Sequence, residues 1–198
     1  MTPFYWIGRM ACKIVFLALW RFRSSGAANV PAIGPVIVAA NHVSYLDPPA
    51  LGAGMNRQLT YLAKKELFSI PLLGWIIHGL GAYPLDRAAG GAAGIRAALR
   101  VLKDGRCIGI FPEGGRNRDG EAEEKGGAAL LAALSGAPVV PAAIVGTRNP
   151  KRFAQVQVIY GEPFFVVRNR QADGDDLEKW TKEIMRRIRV LEESSGGH

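Results

Sequence analysis

Val36-Ile37-Val38-Ala39-Ala40 is an unbroken apolar run that ends at the polar pair Asn41-His42. Gly34-Pro35 precedes the run, so turn residues stand on one side of it and hydrogen-bonding side chains on the other. A short apolar segment bounded in this way predicts a buried β-strand. The class of the fold then depends on what alternates with this strand along the chain.

Predicted strands and helices alternate around that run. Further strands are predicted over residues 59–63, 81–85, 107–111, 138–145 and 156–160. A helix is predicted to start at Asp47-Pro48-Pro49, with Asp47 as its N-cap. Other helices are predicted over residues 67–80, 92–103, 127–134 and 177–191. The alternation predicts an α/β fold, with a largely parallel central sheet flanked by helices.

The length and composition fit one folded domain. The chain has 198 residues and is 48% apolar, which suits a sizeable core and disfavours disorder. We interpret residues 1–198 as a single domain, with an N-terminal segment at 1–25, a catalytic core at 31–165 and a C-terminal helix at 173–193.

The cysteines give no sign of a disulfide framework or a zinc site. Cys12 and Cys107 are far apart and have no His or Cys neighbour at metal spacing. Cys107 lies in an apolar run, so we predict a buried thiol, which fits a reducing cytosol.

The charge of the chain points to an anionic partner. The formal net charge is +8 and the pI is about 9.8, which draws a protein to nucleic acid or to the negative cytoplasmic leaflet. The sequence contains no zinc-finger spacing, no aromatic RNP-type run and no basic zipper, so we expect no nucleic-acid partner. Its N-terminus is basic, aromatic and apolar, which favours a membrane surface of anionic lipids.

Residues 4–23 have the pattern of a helix that lies in the membrane interface. The longest apolar run, Ile14 to Trp20, is far short of the roughly 20 residues that span a bilayer. On a helical wheel, basic residues occupy one side: Arg9, Lys13 and Arg23. Apolar residues occupy the other: Ile7, Ala11, Ile14, Ala18 and Phe22. We therefore expect peripheral or monotopic attachment to the cytoplasmic face of the cell membrane through an amphipathic segment.

Two other interpretations of this segment remain. An amphipathic helix also packs against a protein's own core, with its apolar side inward. Alternatively, Arg9 and Lys13 resemble the basic start of a signal peptide. The signal peptide is disfavoured, because the pattern of a folded domain begins almost at once, at Pro31.

Polar motifs follow three of the predicted strands, after Ala40, Leu85 and Phe111. The carboxyl ends of parallel strands are where sites gather in α/β folds.

The first motif offers His42 and Asp47. Acyl transfer to an alcohol needs a base near the hydroxyl, and a carboxylate that orients a histidine makes it a better base. The two residues meet only if His42 lies in a strand-to-helix turn and Asp47 at the helix start. Taken singly, they are an ordinary strand-end histidine and a helix cap.

The second candidate motif is Phe111-Pro112-Glu113-Gly114-Gly115-Arg116. Glycines let a backbone approach a ligand, and arginine is suited to phosphate. Lys64 and Arg87, each next to a strand end, add positive charge to the same rim. The plainer interpretation is a glycine-rich turn with a solvated arginine.

These blocks, in this order, resemble the glycerolipid acyltransferase family, above all the bacterial 1-acyl-glycerol-3-phosphate acyltransferases. The resemblance covers residues 31–163. Its motifs are Asn41-His42-x4-Asp47, Lys64-x-Glu66-Leu67, the stretch 81–87 that ends in Asp86-Arg87, Phe111 to Arg116, and Val140-Pro141.

The resemblance implies a role for each of these residues. His42 is implied as the base and Asp47 as its partner. The acceptor phosphate is implied to bind Lys64, Arg87 and Arg116, in a pocket shaped by Glu113, Gly114 and Gly115. Val140 and Pro141 are implied to line the acyl or acceptor site. The implied donor is acyl-CoA or acyl carrier protein, the implied acceptor is lysophosphatidate, and no metal or redox cofactor is implied.

One departure concerns the acceptor. Gly115 stands where the family usually has threonine, which removes a hydroxyl that can bind phosphate. Glycerol 3-phosphate, another lysophospholipid and a lyso-aminolipid remain alternative acceptors. A non-catalytic lipid- or nucleic-acid-binding module is a further alternative, disfavoured because binding alone does not need both His42 and Asp47.

Overall fold

The computed structural model describes residues 2–86, 90–115, 117, 124–169 and 171–195. Its helices are α1 (Pro3–Leu19), α2 (Asp47–Gly54), α3 (Lys65–Phe68), α4 (Pro71–Gly79), α5 (Gly91–Lys103), α6 (Gly127–Ser135) and α7 (Gly174–Ser195). Its strands are β1 (Arg21–Ser25), β2 (Val36–Ala40), β3 (Leu59–Thr60), β4 (Leu62–Lys64), β5 (Tyr83–Leu85), β6 (Cys107–Ile110), β7 (Val139–Val145) and β8 (Gln155–Tyr160).

The central sheet has six strands in the order β1-β8-β7-β2-β6-β3. Neighbouring strands are parallel except β7 and β8, which are antiparallel. Strand β2 lies between β6 and β7, with Val36 beside Cys107 and Val38 beside Val140. The predicted α/β class with a largely parallel sheet is confirmed.

The core has two halves, one on each face of the sheet. Val36, Val38 and Ala40 of β2 face α1 and α2, whereas Ile37 and Ala39 face α5, α6 and α7. A parallel strand covered on both faces needs apolar side chains at every position, which explains the unbroken run. All five β2 residues are buried.

Two predicted elements are divided in the structure. The strand predicted over 59–63 becomes β3, in the central sheet, and β4, which pairs with β5 in a separate two-stranded sheet. The helix predicted over 67–80 becomes α3 and α4. Pro71 starts α4 at its first turn because proline has no N–H to continue a preceding helix.

The prediction that the first helix continues through Arg23 is wrong. Residues Arg21–Ser25 form β1, which pairs in parallel with β8 at the edge of the sheet. Phe22 is therefore a buried strand residue rather than part of the exposed helical face. Pairing with a distant strand decides this segment, and tertiary context of this kind overrides local helical periodicity.

Helix α1 has a buried face and an exposed apolar face. Tyr5 and Phe16 are buried against the core, and Cys12 packs on the same cluster. The wheel positions Ile7, Ala11, Ile14 and Ala18 are exposed. Packing on the protein's own core therefore describes one side of α1, while the other side leaves its apolar residues uncovered.

Among the helices of the described ranges, none has the length and hydropathy that crossing a membrane requires. Cys107 is a buried thiol as predicted, and burial raises its pKa to about 12.

Candidate active site

The candidate site lies at the carboxyl edge of the central sheet. Strands β2 and β6 are adjacent and parallel, so the residues after Ala40 and after Ile110 emerge side by side. His42 follows the first strand and Glu113 the second. Thr147 follows β7, on the other side of β2.

His42 and Asp47 meet across the turn that joins β2 to α2. Nδ1 of His42 lies 2.9 Å from Oδ2 of Asp47. His42 is two residues past the strand, and Asp47 is the first residue of α2. This is the strand-to-helix geometry that a separation of five residues requires. The expectation that Asp47 is the N-cap is wrong, since Leu46 occupies that position.

The Asp47 carboxylate is fully buried and receives four hydrogen bonds. Oδ2 accepts from the backbone N–H groups of Val43 and Ser44, each at 2.7 Å, and from His42. Oδ1 accepts from the Thr147 hydroxyl at 2.5 Å. Charge-assisted bonds of this number offset the cost of burying a carboxylate and hold it in one orientation.

The His42 imidazole is held by stacking as well as by Asp47. Its ring lies 4.2 Å from the ring of Phe111, nearly parallel to it, and the Tyr61 ring is also parallel to that of Phe111, at 6.3 Å. Gly109 leaves room for Tyr61, because a Cβ there would lie 2.6 Å from the Tyr61 ring. With Nδ1 directed at Asp47, Nε2 is the ring nitrogen available to a substrate hydroxyl.

The backbone of His42 is fixed by the second motif. Its N–H donates to Oε2 of Glu113 at 2.9 Å, and its carbonyl accepts from the N–H of Asn117 at 2.7 Å. Glu113 is buried, and desolvation raises the pKa of its carboxyl, while the hydrogen bond from His42 opposes the rise. Glu113 thus braces the histidine in addition to its implied place in a substrate pocket.

The turn after β6 depends on Gly114. Its N–H donates to the Phe111 carbonyl at 2.9 Å, and its φ of +66° lies in the left-handed region that glycine adopts without strain. A Cβ at Gly114 would also lie 2.6 Å from the side chain of Lys125. Around Gly115, by contrast, nothing lies within 4 Å of a Cβ position.

Asn41 ties the end of β2 to two distant parts of the chain. Its side-chain amide accepts from the N–H of Ile144 at 2.7 Å and donates to the Ile144 carbonyl at 2.9 Å. Nδ2 also donates to Oε1 of Glu192, on α7, at 2.6 Å. Burial raises the pKa of Glu192, and the neighbouring Glu113 carboxylate adds to the rise.

Sequence reasoning missed two of these contacts. Thr147 and Glu192 lie 100 and 151 residues from Asp47 and Asn41, their respective partners, and no local pattern marks either. Asn41 is part of the motif that contains His42, but its hydrogen bonds to Ile144 and Glu192 were not predicted.

Of the remaining predicted site residues, three have described positions and two do not. Lys64 ends β4 in the small sheet and is exposed. Arg87 and Arg116 lie outside the described residues. Val140 is fully buried in the core below α1 and α2, rather than at the edge of the sheet, and Pro141 is buried beside it in β7.

The arrangement suits proton removal from a hydroxyl group. A buried carboxylate fixes the tautomer of an imidazole whose other nitrogen faces away from it, which is the geometry of a general base. The hydrogen bonds to Asp47 hold its carboxylate against Nδ1, where it can stabilise the imidazolium that results.

Comparison with known proteins identifies relatives of the chain. A family model described as Acyltransferase matches residues 21–145. The chain is 33% identical, over 92% of its length, to the 1-acyl-sn-glycerol-3-phosphate acyltransferase of Bacillus subtilis, and it covers 94% of that protein. It is also 33% identical, over 78% of its length, to the lyso-ornithine lipid O-acyltransferase of Pseudomonas aeruginosa, of which it covers 57%.

A solved structure shares the fold. The crystal structure of the 1-acyl-sn-glycerophosphate acyltransferase PlsC from Thermotoga maritima superposes with a TM-score of 0.73 at 28% identity. The match covers 97% of this chain and 78% of that one.

Proposed function

The chain belongs to the acyltransferase family and is an O-acyltransferase, and from this premise we propose the reaction that it catalyses. A fatty acyl chain is transferred from an acyl thioester to the sn-2 hydroxyl of 1-acyl-glycerol-3-phosphate, giving phosphatidate. The observation that carries the proposal is the contact of 2.9 Å between Nδ1 of His42 and the buried Asp47 carboxylate. Relatives that act on lysophosphatidate support the choice of acceptor.

His42 acts as the base. Nε2 removes the proton of the acceptor hydroxyl while that oxygen attacks the thioester carbonyl, and Asp47 stabilises the imidazolium through Nδ1. The tetrahedral intermediate collapses, the C–S bond breaks, and the proton on His42 passes to the departing thiolate. One C–O bond replaces one C–S bond and no atom changes oxidation state, so the step needs no redox cofactor. The donor is acyl-CoA or acyl carrier protein.

The acceptor phosphate binds the basic residues of the site edge. Lys64 is exposed at the end of β4, and β4 continues the chain from β3, which is parallel to β6. Three residues before Lys64, Tyr61 stacks with Phe111, the ring that also stacks with His42. Arg87 and Arg116 are assigned to the phosphate by their place in the family motifs, with Glu113, Gly114 and Gly115 forming the turn beside it.

Helix α1 docks the protein on the cytoplasmic face of the membrane. Its exposed side carries Ile7 and Ile14, each 60% exposed, together with Ala11 and Ala18. Its opposite side is already anchored to the core through Tyr5 and Phe16. A helix held in this way is suited to lie in the headgroup region of one leaflet.

A direct assay tests the reaction. Purified protein is incubated with lysophosphatidate and labelled acyl-CoA or acyl carrier protein, and phosphatidate is measured. His42→Ala and Asp47→Asn should each lower kcat by about 10³-fold or more, the scale of triad losses, whereas Asp104→Asn, at the exposed end of α5, serves as a matched carboxylate control. Near-normal turnover by His42→Ala would show the proposed base to be wrong.

A second acceptor is favoured by one relative. The Pseudomonas protein acts on a lyso-ornithine lipid, and Gly115 lacks the hydroxyl that the family usually places beside the phosphate. A panel of lysophosphatidate, glycerol 3-phosphate, lysophospholipids and a lyso-aminolipid separates the two acceptors. Higher kcat/KM for the lyso-aminolipid would replace the acceptor but keep the chemistry.

A further inference from the structure

Helix α4 exposes large apolar side chains that no part of the described chain covers. Leu72 is 72% exposed and Trp75 is 64% exposed. Ile70, just before the helix, and Leu73 are also exposed. Soluble surfaces scatter such residues singly, whereas a contiguous group of them marks a binding surface.

This surface is continuous with the exposed face of α1. The rings of Phe4 and Trp75 meet edge to face at 5.0 Å. The helices approach closely because glycines lie where they touch: a Cβ on Gly79 would lie 2.5 Å from the Phe4 ring, and a Cβ on Gly8 would lie 2.5 Å from Leu80. Since Trp75 is both in contact with Phe4 and mostly exposed, the two apolar faces join at this pair.

Helices α1 and α4, which form the joined surface, contain no acidic residue, although Glu66 of the adjoining α3 is exposed. Residues 1–46 and 67–85 contain no Asp or Glu, while the first of these stretches contributes Arg9, Lys13, Arg21 and Arg23. A second copy of a chain with net charge +8 would bring like charges together. An anionic bilayer matches both the sign of the charges and the apolar side chains, and Trp75 suits the headgroup level of such a bilayer.

The start of α4 follows along the chain from the stacked rings beside His42. Tyr61, which stacks with Phe111, precedes β4, and the short α3 leads from Lys64 at the end of β4 to α4. Because β5 is parallel to β4 in the two-stranded sheet, α4 must run from the carboxyl ends of these strands back to their other ends. Ile70 and Leu72 therefore lie at the end of α4 that adjoins the carboxyl end of β4.

We propose that α4 is a second lipid-contacting helix, which enters the headgroup–acyl boundary of an anionic leaflet beside α1 through Ile70, Leu72, Leu73 and Trp75. This inference rests on the proposed acylation of a membrane lipid. Its consequence is that the acceptor's acyl chain stays in an apolar environment while its hydroxyl reaches the carboxyl edge of the sheet.

Vesicle flotation tests the surface. The variant Leu72→Gln/Trp75→Gln is compared with the wild type on vesicles of phosphatidylglycerol and phosphatidylcholine in equal amounts. We expect its partition coefficient to fall by about 10-fold or more, since buried apolar area sets interfacial binding. The control is Phe165→Gln/Val167→Gln, which alters side chains of similar exposure, 73% and 71%. These residues lie in the segment whose Phe164 packs on the face of the sheet opposite to α1. Equal binding by the α4 variant and the wild type would overturn the proposal.

A spectroscopic measurement leaves the α4 side chains unchanged. In a chain with Trp6, Trp20 and Trp180 replaced by Phe, Trp75 is the remaining tryptophan. Brominated lipids should quench its emission, and an unquenched Trp75 in vesicle-bound protein would contradict lipid contact. A shift of the α4 variant from dimer to monomer, with unchanged vesicle binding, would instead make this face a protein interface.

The catalytic proposal is tested separately by the same samples. His42→Ala should bind vesicles as the wild type does while forming no product. If the α4 variant loses vesicle binding while the wild type acylates no lysolipid, the lipid-contacting surface is supported and the proposed reaction is refuted. If the wild type acylates lysolipid while the α4 variant binds vesicles normally, the reaction is supported and the surface is refuted.

Discussion

Nδ2 of Asn41 donates a hydrogen bond of 2.6 Å to Oε1 of Glu192, which lies 151 residues further along the chain. Asn41 is buried and its remaining amide contacts are both to Ile144. It immediately precedes His42. The C-terminal helix therefore holds the residue that precedes the histidine, although it supplies no group to the reacting atoms.

We expect Glu192→Ala to lower kcat on the order of 10-fold, the rate equivalent of 1.4 kcal/mol, with KM within about twofold. The Asn41 amide loses an acceptor and the turn that carries His42 is held less firmly. Glu192→Gln should restore kcat, because its amide oxygen also accepts from Nδ2. Steady-state kinetics provide the measurement, with Glu193→Ala as an exposed neighbour on the same helix. A rise in KM without a fall in kcat would contradict the positioning role.

The same carboxyl predicts a pH dependence of stability. Burial and the Glu113 carboxylate raise the pKa of Glu192, while Arg189 and Arg148 oppose the rise and Glu193 adds to it. Its stabilising contribution is therefore complete below the unfolded-state pKa of about 4.3 and is lost as the pH rises through the raised folded-state pKa. We expect the unfolding free energy of Glu192→Gln to improve relative to the wild type between about pH 4 and pH 7. Urea titrations at several pH values measure this, and a constant difference would contradict it.

Thr147 predicts a loss of both stability and rate. Thr147→Val replaces the hydroxyl that donates to Oδ1 of Asp47 with a methyl group of similar size. The unfolding free energy should fall by about 1.5–3 kcal/mol, the range for a hydrogen bond to a charged group, and kcat should fall with it. Thr147→Ser retains the donor and should recover most of both losses. Denaturant titration and kinetics on one set of samples are sufficient, and an unaltered kcat in the valine variant would exclude this role.

Adjacent glycines predict opposite responses to alanine. Gly114→Ala places a Cβ at φ +66° and against Lys125, so it should cost about 1–2 kcal/mol in unfolding free energy. Gly115→Ala meets nothing within 4 Å and should stay within about 0.5 kcal/mol of the wild type. Thermal or chemical denaturation measures both. Equal destabilisation of the two variants would mean that the turn differs from the one described.

The parts of the fold that sequence predicted are those with a local signal. The apolar run of β2 and the alternation of elements predict the parallel sheet, and the spacing of His42 and Asp47 fits the turn that follows β2. Strand β1 has no such signal, because Phe22 is its only buried residue and its identity as a strand comes from pairing with β8. The division between α3 and α4 falls at Pro71, a residue whose chemistry predicts a helix start or a kink.

The contacts around the site were less predictable than its central pair. Thr147 and Glu192 reach Asp47 and Asn41 only because β7 and α7 pack against β2. Such contacts depend on the assembled sheet, and no spacing along the chain encodes them. The exposed face of α4 was missed for another reason, since an apolar helix has the same composition whether it is buried or faces lipid.

The pairing of β1 with β8 has a consequence for the order in which the protein is made. Arg21 pairs with Gln155, so the strand that follows α1 lacks its neighbour until most of the chain has left the ribosome. Helix α1 and the strand that follows it are therefore synthesised long before that edge of the sheet can close. The edge is completed only once residues 155–160 are available to pair with Arg21–Ser25.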